Sequence, residues 1–495
     1  MVKELFEILT GDGNQREALS KLRGLIKEEA AHKELKELAG KGEAVIALLQ
    51  HEDAKIRKNA ALLLGDLQLQ NALPALKEAY EKETTLFVKS SYLTALSKLD
   101  VTELLDFFKA RKAELLSSEV AEEEKKHIGE ELHELTSMIT AVEGINKHTF
   151  TGFSKPHMLL LSTNREQREV TLEEVAELSA TVQRRAELHP LGVQVFTKEL
   201  APFTKLRSYR ELLFPIALNE PVSGQPKEAA NQLWNSGILE FLQECHKGEA
   251  PFYFRIEIKS AEPQTEYAKK LAMALEQCSG YSLVNDTKDY EVEIRLLASK
   301  EGGYAAFLKL KSIPMKRFAY RKNAIAMSIH PATAAMMMRL AKPYLKEQAQ
   351  ILDPCCGVGT ILIERDICVP AREMYGIDIF GDAITGAREN ASLAGEKINF
   401  IHRDFMDFKH EYLFDEIITN MPVKGKKTKE EMDAFFGAFF KKAASLLNDD
   451  GKIIMYTNEA GFVKKQLRLQ TNYRLVQEFC IRKKEQFFLY IIEKR

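Results

Sequence analysis

The sequence predicts a multi-domain chain in three parts: an α-helical repeat region, a mixed α/β middle domain and a doubly wound α/β domain at the C-terminus. Three observations carry this. Residues 1–145 are rich in Ala, Leu, Glu and Lys, sparse in glycine after the first stretch, and free of strand alternation. Strand-like and helical stretches mix over residues 146–315. Over residues 316–495 apolar strands alternate with helical patterns and end in acids, which is the mark of a doubly wound sheet whose ligands bind at the carboxyl ends of its strands. A chain of 495 residues has room for roughly two to four domains.

In the helical region, Asp53-Ala54-Lys55-Ile56-Arg57-Lys58-Asn59-Ala60-Ala61 opens a run that continues to Leu67, and a similar run, Leu86 to Leu99, follows about thirty residues later. Ile56 aligns with Val88, Leu64 with Leu96 and Leu67 with Leu99. Helix pairs at this period stack into a solenoid. Two copies are too few for a free-standing one, so helices over Arg16 to Leu38 and Glu103 to Val142 are expected to extend or cap it. The alternative is an ordinary helical bundle. Either way the region reads as an interaction surface, for a protein partner or for self-contact.

In the middle region, Met158 to Ser162 reads as a strand and Thr171 to Glu187 as a helix, with Thr171 as its cap and Glu174 three residues on. Phe252 to Ile258, Tyr290 to Leu297 and Tyr304 to Leu310 read as strands, and Glu266 to Glu276 as a helix. Gly144 to Gly152 and Glu220 to Pro226 are linker candidates.

The C-terminal region opens with Thr333 to Leu340 in helical pattern, where Met336-Met337-Met338 reads as core filling and His330 as a turn residue. Ile351-Leu352-Asp353-Pro354-Cys355-Cys356-Gly357-Val358-Gly359-Thr360 then delivers a strand into a glycine turn and a helix. Glycines at such a turn let backbone N–H groups approach a ligand. The third glycine of a dinucleotide fingerprint is missing, and no Gly-Lys-Ser/Thr follows, so neither NAD nor ATP is favoured. Asp353 at the head of the turn suits a ligand with a positive charge. Met374 to Ile379 is a strand that puts Asp378 about twenty residues past the turn, where a carboxylate accepts hydrogen bonds from a ribose diol. Ile398 to Asp404 is a third strand ending in an acid, and Phe414 to Thr419 a fourth, stopping at Asn420-Met421-Pro422-Val423. Helices over Asp382 to Leu393 and Glu430 to Leu447, and strands over Lys452 to Thr457, Leu475 to Ile481 and Gln486 to Ile492, complete the pattern.

This ordered set resembles the class I S-adenosylmethionine-dependent methyltransferases, and its Asp-Pro-x-Cys-Gly-x-Gly-Thr turn resembles the branch that methylates guanine N2 in tRNA and ribosomal RNA. Tyr320-Arg321 and His330-Pro331-Ala332 resemble the segment ahead of the cofactor strand in those enzymes. The middle region, by order and position, resembles their THUMP-type RNA-binding module, an α/β connector being the alternative. The repeats, through Asp-x-x-Ile-Arg-x-x-Ala-Ala, resemble HEAT repeats, with a degenerate second copy.

The resemblance implies a Rossmann-like domain that binds S-adenosyl-L-methionine and needs no metal. Asp353, Gly357, Gly359 and Thr360 would hold the methionine end and Asp378 the ribose. Ile379 and Phe405 would flank the adenine, and Asp404 would accept from its amino group. Asn420, Met421 and Pro422 would form the catalytic turn, presenting acceptors to an exocyclic amine. Val423 stands where the family carries an aromatic that stacks on a flipped base, which opens the substrate class to question. Lys424, Lys426, Lys427, Lys429 and Arg321 are the RNA-contacting candidates, and structured RNA, tRNA or rRNA, is the implied partner. Two rivals stay open: adenine N6 methylation of RNA or DNA, and a scaffold that binds cofactor or RNA without methylating.

Composition adds bounds. Lys and Arg total 70 against 72 Asp and Glu, a net charge of −2, which argues against a large nucleic-acid footprint and leaves local patches. The six cysteines contain no C-x-x-C, pointing to reduced thiols and a cytoplasmic location. The N-terminus has early acids and no long apolar run, so neither a signal peptide nor a membrane span is expected.

Overall fold

The computed structural model describes every residue except 12, 119, 120, 122, 146, 300, 301, 327, 426 and 427. Helices run over residues 2–143, an eight-stranded sheet with helices spans 157–310, and a seven-stranded sheet with helices spans 331–494.

In the first assembly, Asp53 caps the helix Ala54–Asp66 by accepting the Lys55 N–H at 2.7 Å. Arg57 turns back to grip Glu83 with two bonds of 2.8 Å and also donates to the His51 and Glu52 carbonyls. The helix Leu86–Leu96 lacks both devices, yet Val88, Leu96 and Leu99 are buried as Ile56, Leu64 and Leu67 are. The two helices touch closely at Gly65, where a Cβ would lie 2.7 Å from Ala95 Cα. The long flanks expected on either side are each broken in two: Gln15–Leu25 with Glu29–Ala39, and Leu105–Ser117 with Lys125–Glu143.

In the middle sheet the strand order is 184–189, 192–197, 157–162, 211–215, 304–310, 292–298, 252–259 and 283–285. The expected helix Thr171 to Glu187 is instead Arg168–Ala176 followed by the strand Arg184–His189. Thr171 is no cap. Its buried hydroxyl donates to Thr163 Oγ1 at 2.9 Å, and the buried Glu174 carboxylate accepts from the Arg207 and Ser208 N–H groups at 2.9 Å each. Distant partners have claimed both side chains, so the local pattern misled. The helical arm does not project from this sheet. Tyr253, Tyr281 and Val284 of the middle assembly join the arm's own core, and Tyr281 OH donates to the Gly129 carbonyl at 2.6 Å.

The C-terminal sheet uses strands β1 (Gln350–Asp353), β2 (Glu373–Asp378), β3 (Asn399–His402), β4 (Phe414–Asn420), β5 (Leu447–Thr457), β6 (Tyr473–Arg482) and β7 (Phe487–Lys494). Their order is 3-2-1-4-5-7-6, parallel except for β7, which runs antiparallel to β5 and β6. Adjacent residues feed opposite faces: Ile351, Ile418 and Ile454 enter one core, and Leu352, Ile417 and Ile453 the other. Helices α1 (Pro331–Ala341), α2 (Thr360–Cys368) and α3 (Gly381–Ala394) cover the first face, and α4 (Lys429–Leu446) and α5 (Ala460–Leu469) the second. Met336, Met337 and Met338 are core, as expected. Strand order reverses between β1 and β4, and the crevice at their carboxyl ends is where such a sheet binds ligands.

Among the described residues, no helix is long and apolar enough to cross a membrane.

Candidate active site

The turn after β1 is built from its own backbone. Asp353 Oδ1 accepts the Cys355 N–H at 3.0 Å, and Cys356 N–H donates to the Ile377 carbonyl of β2 at 2.9 Å. Gly357 and Gly359 hold φ of +52° and +79°, which a side chain resists. The two glycines do different jobs. Among the described residues the space beside Gly357 is open, with Ile325 Cδ1 at 3.9 Å from a built Cβ, whereas at Gly359 a Cβ would meet Phe400 at 2.9 Å. Gly359 therefore lets α2 pack, and Gly357 leaves room above the turn.

Asp378 ends β2 and ties two turns together. One carboxylate oxygen accepts the Gly357 N–H and the other the Phe380 N–H, both at 2.9 Å. Each oxygen keeps a further acceptor site for a ligand.

A cavity of about 250 Å³ opens here, lined by Gly357, Thr360, Asp378 and Phe380, by Asn420 to Val423, and by Ile325, Ser328 and Ile329 overhead. The buried Asn390 of α3 fixes that roof. Its Oδ1 accepts the Lys322 and Asn323 N–H groups at 3.1 and 3.0 Å, and its Nδ2 donates to the carbonyls of Asn323 and Val358 at 3.1 Å each. Roof and glycine turn thus hang on one amide that no motif in the chain marks. Larger grooves lie in the helical arm and beside the middle sheet, but neither collects strand-end acids.

Among the described residues, several polar groups around the cavity lack partners. Asp353 Oδ2, Thr360 Oγ1 and Thr419 Oγ1 are buried without a hydrogen bond. Burial, and secondarily the nearby Asp378, pushes the Asp353 pKa up to about 8 against the Cys355 N–H, which favours the charged form. Burial also raises the Cys355 thiol, so it is no nucleophile. A cation placed beside Asp353 Oδ2 would relieve a cost that the protein otherwise bears.

The predicted residues divide. Gly357, Thr360, Asp378, Asn420, Met421 and Pro422 meet on one cavity wall together with Val423. Asp353 lies beneath the turn rather than on the wall. Ile379 is 57% exposed and off the wall. Asp404 is exposed and caps its own turn by accepting the Met406 N–H at 2.8 Å. Phe405 is buried against Phe439, with centroids 5.6 Å apart, and its ring packs in the core rather than on the cavity wall. The aromatic that does face the cavity is Phe380, 62% exposed. A large apolar residue just ahead of a helix and after a strand-end acid was the available signal. Lys424 is exposed beside the turn and Lys429 starts α4, while Lys426 and Lys427 lie outside the described residues. Arg321 is partly engaged, donating to the Ile329 carbonyl at 3.1 Å.

Residues 319–486 match the family model described as "UPF0020: RMKL-like, methyltransferase domain". Ribosomal protein L11 methyltransferase of Thermotoga petrophila is 23% identical over 223 residues, covering 43% of this chain and 75% of that protein. The tRNA (guanine(10)-N2)-dimethyltransferase of Methanothermobacter thermautotrophicus is 30% identical over 131 residues, which are 26% of this chain and 38% of that enzyme. The crystal structure of TrmN from Thermus thermophilus shares the fold, with a TM-score of 0.50 at 23% identity over 68% of this chain and 100% of that one. The C-terminal assembly thus matches a methyltransferase domain over residues 319–486.

Proposed function

We propose that this chain is an S-adenosylmethionine-dependent methyltransferase acting on an exocyclic amine of structured RNA, with guanine N2 of tRNA or rRNA as the favoured target. The observation that carries the reading is one cavity that joins the glycine turn and Asp378 to the Asn420 turn. The residues fit the cofactor: Asp353 Oδ2 is an unpartnered buried acceptor for an ammonium, Gly357 leaves open space above backbone N–H groups, and Asp378 has acceptor sites left for ribose hydroxyls. When bound, the cofactor supplies a methyl group already activated on a sulfonium. The match to the guanine-N2 enzyme supports the RNA target.

The protein's share of the chemistry is positioning and polarity. Among the described residues the Asn420 side chain makes no hydrogen bond, so its carbonyl is free to accept from an amine hydrogen. The Met421 N–H donates to the Tyr456 carbonyl at 3.0 Å, which fixes the turn, and Pro422 restricts the backbone that follows. The Asn420 oxygen and a backbone carbonyl of the turn, aimed at the two amine hydrogens, would favour the amine's pyramidal form, whose lone pair is no longer shared with the ring. With valine at 423, the wall of Ile325, Ile329 and Val423 contacts the base through aliphatic carbons instead of a stacked ring.

The second reading is a ribosomal-protein substrate, favoured by the relative of which this chain covers 75%. Methyl-labelled cofactor added to a lysate separates the two. Label should enter RNA as N2-methylguanosine by nucleoside mass spectrometry, and label confined to protein would replace the RNA reading. Asn420→Ala should lower turnover by about 10²–10³ while cofactor affinity changes only a few-fold, because the contact matters in the transition state.

A further inference from the structure

A cationic corner lies beside the cavity, at the seam between the middle and C-terminal assemblies. Asn420 pairs across the sheet with Tyr456 of β5. The Tyr456 ring stacks on Phe487 of β7 with centroids 5.0 Å apart, and the Arg482 guanidinium lies 5.6 Å from the Phe487 centroid. Across the seam, exposed Arg210 reaches from just ahead of the strand Glu211–Pro215 to Thr333 Oγ1 in α1, at 3.3 Å. Although the residue as a whole is exposed, desolvation of its guanidinium at the seam and then neighbouring Arg482 lower the Arg210 pKa, so the two guanidinia repel each other. His330 gives no further charge: burial first, then Arg210, Arg321 and Arg317, bring its pKa to about 4.

The corner is short of anions. Among the described residues Arg210 and Arg482 have no ion-pair partner. Of the nearby acids, Glu211 is already held by Arg295 and Lys309, and Glu485 sits in the exposed hairpin turn after Arg482. The Tyr456 hydroxyl, in a side chain only 4% exposed, has no hydrogen-bond partner among the described residues, and both arginines act on it to oppose the rise that burial causes. Two unpaired cations and an orphan hydroxyl are unfavourable together. One anion with several acceptor oxygens satisfies all three. Lys483 and Lys484, exposed in the same hairpin turn, extend the positive strip outward, which suits a polyanion better than a lone ion.

We propose that Arg210, Arg482 and the Tyr456 hydroxyl hold a backbone phosphate of the RNA strand next to the nucleotide whose base enters the cavity, with Lys483 and Lys484 continuing the contact. This rests on the RNA reading above. The test is binding of bulk bacterial tRNA to the full chain over a series of KCl concentrations, comparing wild type, Arg210→Ala, Arg482→Ala and the charge-matched control Lys270→Ala on an exposed helix face. Each arginine variant should weaken binding and flatten the slope of log K against log salt by about 1, the signature of one lost phosphate contact, while Lys270→Ala keeps the wild-type slope. Arg482→Gln, which keeps the stem over Phe487, should show the same loss if Arg482→Ala folds poorly. Wild-type binding with unchanged slopes in the arginine variants overturns the corner and leaves the RNA reading standing. No tRNA binding by the wild type overturns both.

Discussion

At the scale of single residues, Asp353 is the side chain whose state the cofactor should change most. Its pKa of about 8 in the folded protein, against an ordinary value of about 3.9, means the fold holds the proton more tightly than the unfolded chain does. Stability from this group is therefore fully present at low pH and is lost as pH rises toward and through about 8. A cation at Oδ2 reverses the preference. Calorimetric titration with S-adenosylmethionine at about pH 7, in buffers of different ionisation enthalpy, should show release of roughly one proton per site. Asp353→Asn should abolish the release, and no release by the wild type would mean that the ammonium is bound elsewhere. The residues legible in the sequence were those whose role is set by chain geometry: a glycine in an open left-handed turn, an acid at a strand end, an Asn-x-Pro stop. The placement of Phe405 was not legible, because an aromatic after a strand-end acid looks alike whether it lines a cavity or packs in the core, and here α4 packs against it.

At the scale of elements, one buried contact between the middle assembly and the C-terminal assembly centres on Glu364 of α2. This buried carboxylate accepts from Arg207 at 2.9 and 2.7 Å and from Tyr320 OH at 2.6 Å, linking the middle assembly, the strap ahead of the cavity roof and the helix behind the glycine turn. Removing one partner leaves a buried charge unpaired, which costs about 3–5 kcal/mol, whereas replacing the pair costs far less. Arg207→Met should therefore lower the urea midpoint strongly, and Arg207→Met with Glu364→Gln should recover much of the loss. Additive losses in the double variant would show that the pair is not coupled. None of this was readable beforehand, because Arg207 and Glu364 lie far apart in sequence and each sits in an unremarkable local pattern. The strands of the C-terminal sheet were readable, since parallel strands buried on both faces are continuous apolar runs. The strand Arg184–His189, mostly polar and at a sheet edge, was not, and helical spacing absorbed it.

At the scale of the molecule, the question is how far the helical arm and the cofactor site depend on each other. The cavity draws its walls from residues 325–423, with no contribution from the arm. The arm nevertheless covers one end of the middle sheet. It buries Tyr253, Tyr281 and Val284, and its His133 meets the Glu276 carboxylate at 3.2 Å. That contact raises the His133 pKa, through the hydrogen bond to Glu276 first, so its contribution to docking is present at low pH and fades as pH rises past the folded-state pKa. Deleting residues 1–145 should therefore give a protein that binds S-adenosylmethionine within a few-fold of the full chain, yet melts earlier in its middle part, because two tyrosines and a valine become exposed together. Calorimetry on the truncated chain measures both quantities at once. If cofactor affinity collapses while the C-terminal sheet still melts cooperatively, the arm shapes the site through the middle assembly. The Arg207–Glu364 junction is then the place to look for how that influence reaches α2 and the glycine turn.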